Sequence, residues 1–422
     1  MKRWMQRFTF SGHSVGMTAF LALFPGFFFY HTLLGLGMIG AVLGGYFAPV
    51  SLLVAPPLLF FYAYKIRRDQ SHLGHADVFF WLYIAYFLTV VAIQASAGAN
   101  PVIVGNHLLG ALFIANMFLV FRLTDFNRGD VRFLLLATLA GMSAIVFSYS
   151  VDGSFYLAPL GTAKNPESLA TYQGFSRSYL FTFMAAIAYC RGRLLRIVLY
   201  CAAAPTLFVN TARSEFVAML FVIPIIEIYY ARHKMVLASV LLAIFLGIYL
   251  NLEYLLSLLP SNRILELLDL SQSTSANKRH LLSLYAKNTI AQFPIFGDYA
   301  SYTPGFYSHN VLSAWVDTGV FGFFFVLALV ILPLLQMLVK GYFLPRPSPV
   351  FILGFTLACI TLLLLLTSHY FTDMLIGATL GTYSKYRYGR KHGKHSPPHI
   401  GPSAPRHAHL RQAVPQAGRV RA

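Results

Sequence analysis

The chain has 422 residues, 57% of them hydrophobic and only 11% charged. Soluble domains carry roughly a quarter charged residues, so a soluble globular domain is excluded and an all-α polytopic membrane protein is expected. The formal charge of +18 does not indicate a nucleic-acid partner, because the basic residues follow the loops on one side of the expected membrane.

A membrane-crossing helix needs about 20 mostly apolar residues. Twelve stretches are expected to cross, near 15–35, 43–64, 77–96, 102–121, 132–150, 171–190, 194–211, 214–231, 235–256, 311–333, 349–368 and 371–384. Lys2, Arg3 and Arg7 precede the first run and no small-residue cleavage site follows it, so this span is expected to be retained. Pro49, Pro56 and Pro57 are expected to break the second, and the last is short. Cys190, Cys201 and Cys359 fall in or beside apolar runs without metal-type spacing and are read as packing residues.

With the N-terminus in the cytoplasm, alternation puts only Lys164, Arg177, Arg213, Arg263, Lys278, Arg279 and Lys287 on the outer side, and the other Lys and Arg inside. That asymmetry satisfies the positive-inside rule and places both termini in the cytoplasm. Residues 1–384 are therefore read as one membrane domain. Residues 385–422, rich in Lys, Arg, His and Pro and without an acid, are read as a disordered cytoplasmic tail near anionic headgroups. Its histidines lack metal-ligand spacing.

Two outer segments are too long for turns, about 151–170 and about 257–308, the latter between spans nine and ten. In the second, apolar residues recur at spacings of three and four in ILELLDL (264–270) and HLLSLYAKNTI (280–290), the pattern of short amphipathic helices at the membrane surface. A connection this long in a compact domain is usually functional or disordered, and its apolar content argues against disorder.

The candidate chemistry lies on this side. Arg213, in NTARSEF, stands where spans seven and eight meet almost without a loop. An arginine there either snorkels to the headgroups or binds an anion in a cavity. Arg279 opens a helical stretch and reads as a solvated charge or as an anion ligand. His309, where the chain re-enters the membrane, reads as a structural interface residue or as a proton-transfer group. Asn310 can cap the helix that follows. The outer acids Asp152, Glu167, Glu215, Glu253, Glu266, Asp269, Asp298, Asp317 and Asp373 are scattered. Metal-dependent transfer needs clustered carboxylates, so no metal and no cofactor is expected, and arginines acting on phosphate fit better. His369 and Asp373 have the His-x-x-x-Asp spacing of phosphatidic-acid-phosphatase-type enzymes, but that family's companion motifs are missing.

About twelve spans, an outer arginine between spans seven and eight, a long loop opening with arginine, and His309-Asn310 followed by Gly319-x-x-Gly322 together resemble the bacterial O-antigen ligase and O-antigen polymerase superfamily. LGTAKNPESLA (160–170) and Gln292-Phe293-Pro294-Ile295-Phe296-Gly297 are similar to that family's Asn-Pro and Pro-x-x-Gly segments. The stretch from Val311 to Thr318 is one residue shorter than in the ligase pattern. In a continuous helix this turns Gly319 by about 100° relative to His309.

The resemblance implies an inner-membrane glycosyltransferase with its site facing the periplasm. Such a protein moves a glycan from undecaprenyl diphosphate to an acceptor hydroxyl, with inversion by direct displacement. It implies Arg213 and Arg279 on the diphosphate, His309 as base or acceptor-orienting group, and Asn310 beside them. The leading reading is a ligase whose acceptor is lipid A-core. The alternative is a polymerase that uses a second lipid-linked repeat. From another class, an anionic-substrate transporter calls for an internal repeat and broken helices meeting at the midplane, whereas these residues gather on the outer face and no repeat is visible.

Overall fold

The computed structural model describes residues 11–389 apart from 44, 69–72, 152, 156, 158–171, 253, 255–263, 265–273 and 344–347. The Asn-Pro segment, most of the 151–170 loop, the 264–270 stretch apart from Ile264, and the tail from 390 onward lie outside the described residues.

Apolar runs that cannot draw on water for their backbone hydrogen bonds must satisfy them internally, and the described chain is accordingly helical. Its helices are α1 (Gly12–Gly35), α2 (Phe47–Arg68), α3 (His75–Ser96), α4 (Pro101–Leu123), α5 (Gly129–Ser148), α6 (Tyr172–Ile187), α7 (Arg193–Val209), α8 (Arg213–Tyr230), α9 (Lys234–Leu250), α10 (Thr274–Gln292), α11 (Leu312–Met337), α12 (Pro349–Thr367) and α13 (Leu375–Tyr388). The described strands are a short hairpin, β1 (Ser150–Val151) antiparallel to β2 (Ser154–Phe155).

Local signals set the boundaries. Ser11, Asn100 and Ser348 each accept a backbone N–H at the head of α1, α4 and α12, the latter two with proline following, as N-caps do. α2 ends in Lys65, Arg67 and Arg68, which suit the negative end of the helix dipole.

Among the described residues seven helices are long and apolar enough to cross a membrane: α1 to α5, α11 with its extension to Tyr342, and α12. Five more occupy expected spans but are short, at 16, 17, 18, 17 and 14 residues for α6, α7, α8, α9 and α13. α8 also carries Arg213, Glu215 and Glu227. The expected break in the second span is absent. Pro49 falls in the first turn, where no N–H is needed, and α2 continues through Pro56 and Pro57, since apolar surroundings offer the backbone no better partner. The 280–290 stretch lies within the longer α10, and α13 carries the helix past residue 384 to Tyr388.

The centre of the bundle is α13 laid on α4. A Cβ at Gly377 would stand 2.0 Å from the Ile114 carbonyl oxygen, and one at Gly381 would stand 2.3 Å from that of Phe118. Only glycine permits this approach, the small-xxx-small contact of membrane helices. α12 closes over α13 through Thr361 and Thr379, whose hydroxyls are 2.8 Å apart. Aromatic rings fill the flanks, with Phe80 stacked on Phe118 at 4.0 Å and Phe24 on Phe181 at 4.4 Å. α9 buries none of its residues.

A buried polar knot ties the end of the bundle that carries the C-terminus of α4. Asp77 accepts from Arg122 Nε at 3.1 Å, Tyr62 Oη at 3.0 Å and the Gly74 N–H at 3.1 Å, and also from Ser384. Each lone pair of the carboxylate is used, which is the condition for burying a charge. At the same end Arg196 holds Glu227 bidentately at 2.6 and 2.9 Å.

Candidate active site

The opposite end carries the polar residues the bundle leaves open. α4, α6, α8, α11 and α13 all begin there, so five positive helix-dipole ends face one region. A cavity of about 420 Å³ lies among them, about 22 Å along α4 from the Asp77 knot by helical rise. Its walls include His107 (α4), Arg177 (α6), Glu215 (α8), Arg279 (α10), Tyr302, Tyr307 and His309 from the loop before α11, and His369, Tyr370 and Asp373 from the loop before α13.

Arg177 is the hub of one wall. Its Nη2 is 3.2 Å from Asp373 Oδ2, 3.5 Å from Glu215 Oε1 and 3.4 Å from His369 Nε2. His369 Nδ1 is 3.0 Å from Asp373 Oδ2, and Ser214 Oγ donates to Glu215 at 2.7 Å. The Glu215 and Asp373 side chains are 1% and 7% exposed while that of Arg177 is 28% exposed, so the buried acids back a guanidinium that reaches the cavity. Burial pushes the Asp373 carboxyl up, but Arg177 and His369 outweigh it and hold the group well below the usual carboxylate range. Asp373 also accepts from the Leu375 N–H at 2.9 Å, which fixes the head of α13.

The expected residues separate. Arg279 and His309 line the cavity. Arg213 is not among the lining residues; it stands at the head of α8, next to Ser214 and Glu215, which are. Asn310 is also off the wall. Its side-chain oxygen accepts from the Leu312 N–H at 3.0 Å and from Ser308 at 2.9 Å, and its Nδ2 donates to Ser283 at 3.1 Å. It caps α11 and ties the loop to α10. The His309 ring lies 4.6 Å from that of Tyr307. Burial, then Arg279 and His369, lower its pKa to about 4, so it is a neutral imidazole at pH 7.

The loop is aimed by a joint between two glycines. Gly319 takes φ 71° and ψ −174° inside α11 and breaks the ladder, which supersedes the 100° rotation expected for a continuous helix. The Pro294–Gly297 turn docks into the break: the Val320 N–H donates to Ile295 at 3.1 Å, and the Asp298 N–H donates to Val316 at 2.8 Å.

Behind the loop lies a second polar group. Asp317 accepts from the Ala300 N–H at 3.0 Å, from Tyr302 Oη at 3.2 Å and from Tyr370 Oη. His107 lies between Tyr370 Oη at 2.6 Å and Tyr299 Oη at 2.7 Å.

Sequence reasoning passed over Arg177, Glu215, Asp317, His369 and Asp373. Ionisable residues inside apolar runs are expensive in a membrane and should meet partners, a rule that picks out Arg177, Glu215 and Asp317. Among the described residues no group of His, Cys, Asp and Glu is arranged to hold a metal ion. No family model and no curated protein sequence matches the chain.

Proposed function

We propose that the chain is a metal-independent inverting glycosyltransferase of the bacterial inner membrane that moves a glycan from undecaprenyl diphosphate to an acceptor hydroxyl at the periplasmic face. In this reading the five shorter helices complete twelve spans and both termini are cytoplasmic. The observation that carries it is that Arg177, Arg279 and His309 line one cavity at the positive ends of five helices.

Expelling a diphosphate from an anomeric carbon requires positive charge where negative charge develops, supplied by groups already in place. Guanidinium forks suit phosphate oxygens, and Glu215 and Asp373 hold that of Arg177 in place. Arg279 supplies the second cation and Arg213 stands beside the cavity. His309, neutral at pH 7, can accept a hydrogen bond from the acceptor hydroxyl as base or orienting group.

The acceptor is lipid A-core for a ligase and a second lipid-linked repeat for a polymerase. Purified protein in liposomes is given undecaprenyl-diphosphate glycan with core lipid, or with donor alone. Capped core lipid is the expected product. Elongated donor would make the protein a polymerase, and no transfer to either acceptor would remove the proposal.

A further inference from the structure

The hydrogen bonds around Asp317 have a direction, and it leads away from the cavity. A phenol has one proton to give, and an ionised carboxylate only accepts. Tyr370 gives its proton to Asp317, so its oxygen accepts at the 2.6 Å contact with His107 Nε2. Nε2 then carries the imidazole hydrogen, and Nδ1 accepts from Tyr299 at 2.7 Å. Tyr302 adds a second hydroxyl, 2.7 Å from Tyr370 and 3.2 Å from Asp317. Tyr370, Tyr302 and His107 line the cavity, whereas Asp317 does not and is buried. The carboxylate is therefore reached from the cavity through Tyr370 or Tyr302.

A structural knot does not need this form. Asp77, at the other end of the bundle, is neutralised by a direct arginine contact. Asp317 is surrounded instead by hydroxyl groups, a backbone N–H and, at 4.0 Å, the ring of His107. Among the described residues no Lys or Arg is bonded to Asp317, and a carboxylate held only by such neutral donors is poised to take a proton. Burial, then the charge of Asp317, raises the pKa of Tyr299, Tyr302 and Tyr370, so all three keep their protons at neutral pH and act as donors.

We propose that Tyr370 takes the proton of the acceptor hydroxyl while passing its own to Asp317, so that the buried carboxylate, rather than His309, is where that proton comes to rest. The proposal rests on the glycan-transfer reading. In the step, the acceptor oxygen bonds to the anomeric carbon as the bond from that carbon to the diphosphate oxygen breaks. The diphosphate leaves with the electron pair against Arg177 and Arg279. The acceptor's proton moves to Tyr370 Oη and the Tyr370 proton moves to Asp317, leaving a neutral phenol and a carboxylic acid. The acid returns its proton to water along the same path once product has left. Tyr370 is the catalytic residue, Asp317 acts through it, and His309 orients the acceptor.

The test is single-turnover transfer in liposomes with undecaprenyl-diphosphate glycan already bound, using whichever acceptor the wild type accepts. Tyr370→Phe removes the hydroxyl alone, and Asp317→Asn keeps volume and an acceptor oxygen but cannot take the proton. Each is expected to slow transfer about 100-fold or more, the usual worth of positioned acid–base catalysis, while donor affinity stays within about threefold of wild type, because the lost interaction belongs to the transition state. Asp317→Glu is expected to recover part of the rate, which loss of packing would not allow. If Tyr370→Phe does not fold, Asp317→Asn decides. Rates within about threefold of wild type in the folded variants, or slowing matched by an equal loss of donor affinity, would overturn the relay while leaving glycan transfer standing. A wild type that transfers to neither acceptor would remove both.

Discussion

Gly297 and Gly319 meet backbone to backbone, each at φ 71°, and this contact sets where the cavity loop leaves α11. A Cβ at Gly319 would lie 2.2 Å from the Ile295 carbonyl oxygen, and one at Gly297 would lie 2.3 Å from that of Val316. Gly319→Ala is therefore strained twice, by its dihedral and by overlap with a backbone that cannot rotate away. A left-handed non-glycine residue alone costs of order 1–3 kcal/mol. The expected outcome is a lowered Tm and a loss of transfer out of proportion to it, because Tyr302 and His309 ride on the displaced loop. Thermal unfolding and transfer assays on the same preparation check this, and full activity would show that the joint does not position the site.

Among the described residues Arg177 is the only Lys or Arg within salt-bridge distance of both Glu215 and Asp373, with His369 3.9 and 3.0 Å from the same two acids. Removing one partner of a buried pair leaves an uncompensated charge, an effect of about 3–5 kcal/mol. Arg177→Gln is expected to lower thermal stability and to abolish donor binding. The double variant Arg177→Gln with Asp373→Asn should regain stability without regaining donor binding. Arg177→Lys keeps the charge but cannot span Asp373, Glu215 and the substrate at once, and should bind donor at least tenfold more weakly. Donor titrations on Arg177→Gln that match wild type would take Arg177 out of the site.

How much of this could be read from the chain depends on how local each cause is. Apolar runs, proline positions and N-caps act over a few residues, so the helix order was legible, as were Arg279, within α10, and His309, near the end of the loop before α11. Pro56 and Pro57 misled because their effect depends on whether water competes for the backbone. The remaining residues are joined by packing alone. Arg177 reads as a basic residue near the head of a span until α13 brings Asp373 beside it. His369 and Asp373 have a recognisable spacing, but the companions of the motif with that spacing are missing from the sequence, and their partners in the fold are Arg177 and Glu215. Asp317 reads as a stray acid because Tyr370 and His107 approach it from distant parts of the chain.

His309 governs one part of the pH response. Its folded pKa of about 4 lies below the ordinary value near 6.5, so the unfolded chain binds more protons between these values. The stability it contributes is present above about pH 6.5 and is lost as pH falls toward 4. His309→Gln should flatten the decline of Tm over that window. For the rate, the neutral imidazole persists across pH 5–8, so His309 should impose no break near 6.5 in kcat/KM. Tm and kcat/KM measured from pH 4 to 8 in wild type and variant check both, and a break at 6.5 lost in His309→Gln would mean that the ring titrates as an ordinary exposed histidine.

Arg279 and Arg213 should separate kinetically, because one lines the cavity and the other stands at the head of α8 beside it. A guanidinium that contacts the leaving diphosphate stabilises charge that grows in the transition state, so its loss lowers kcat. One at the rim acts on the intact donor before and during the reaction alike, so its loss raises KM and leaves kcat near wild type. Arg279→Ala is therefore expected to lower kcat by about 100-fold or more, the size of effect seen on removing one preorganised donor. Arg213→Ala is expected to raise KM for the donor with little change in kcat, and salt should weaken wild-type donor capture more than that of the variant, since an attraction acting across solvent is screened. Steady-state kinetics at two ionic strengths decide it: equal losses of kcat in both variants would place Arg213 in contact with the diphosphate and require the head of α8 to move when donor binds.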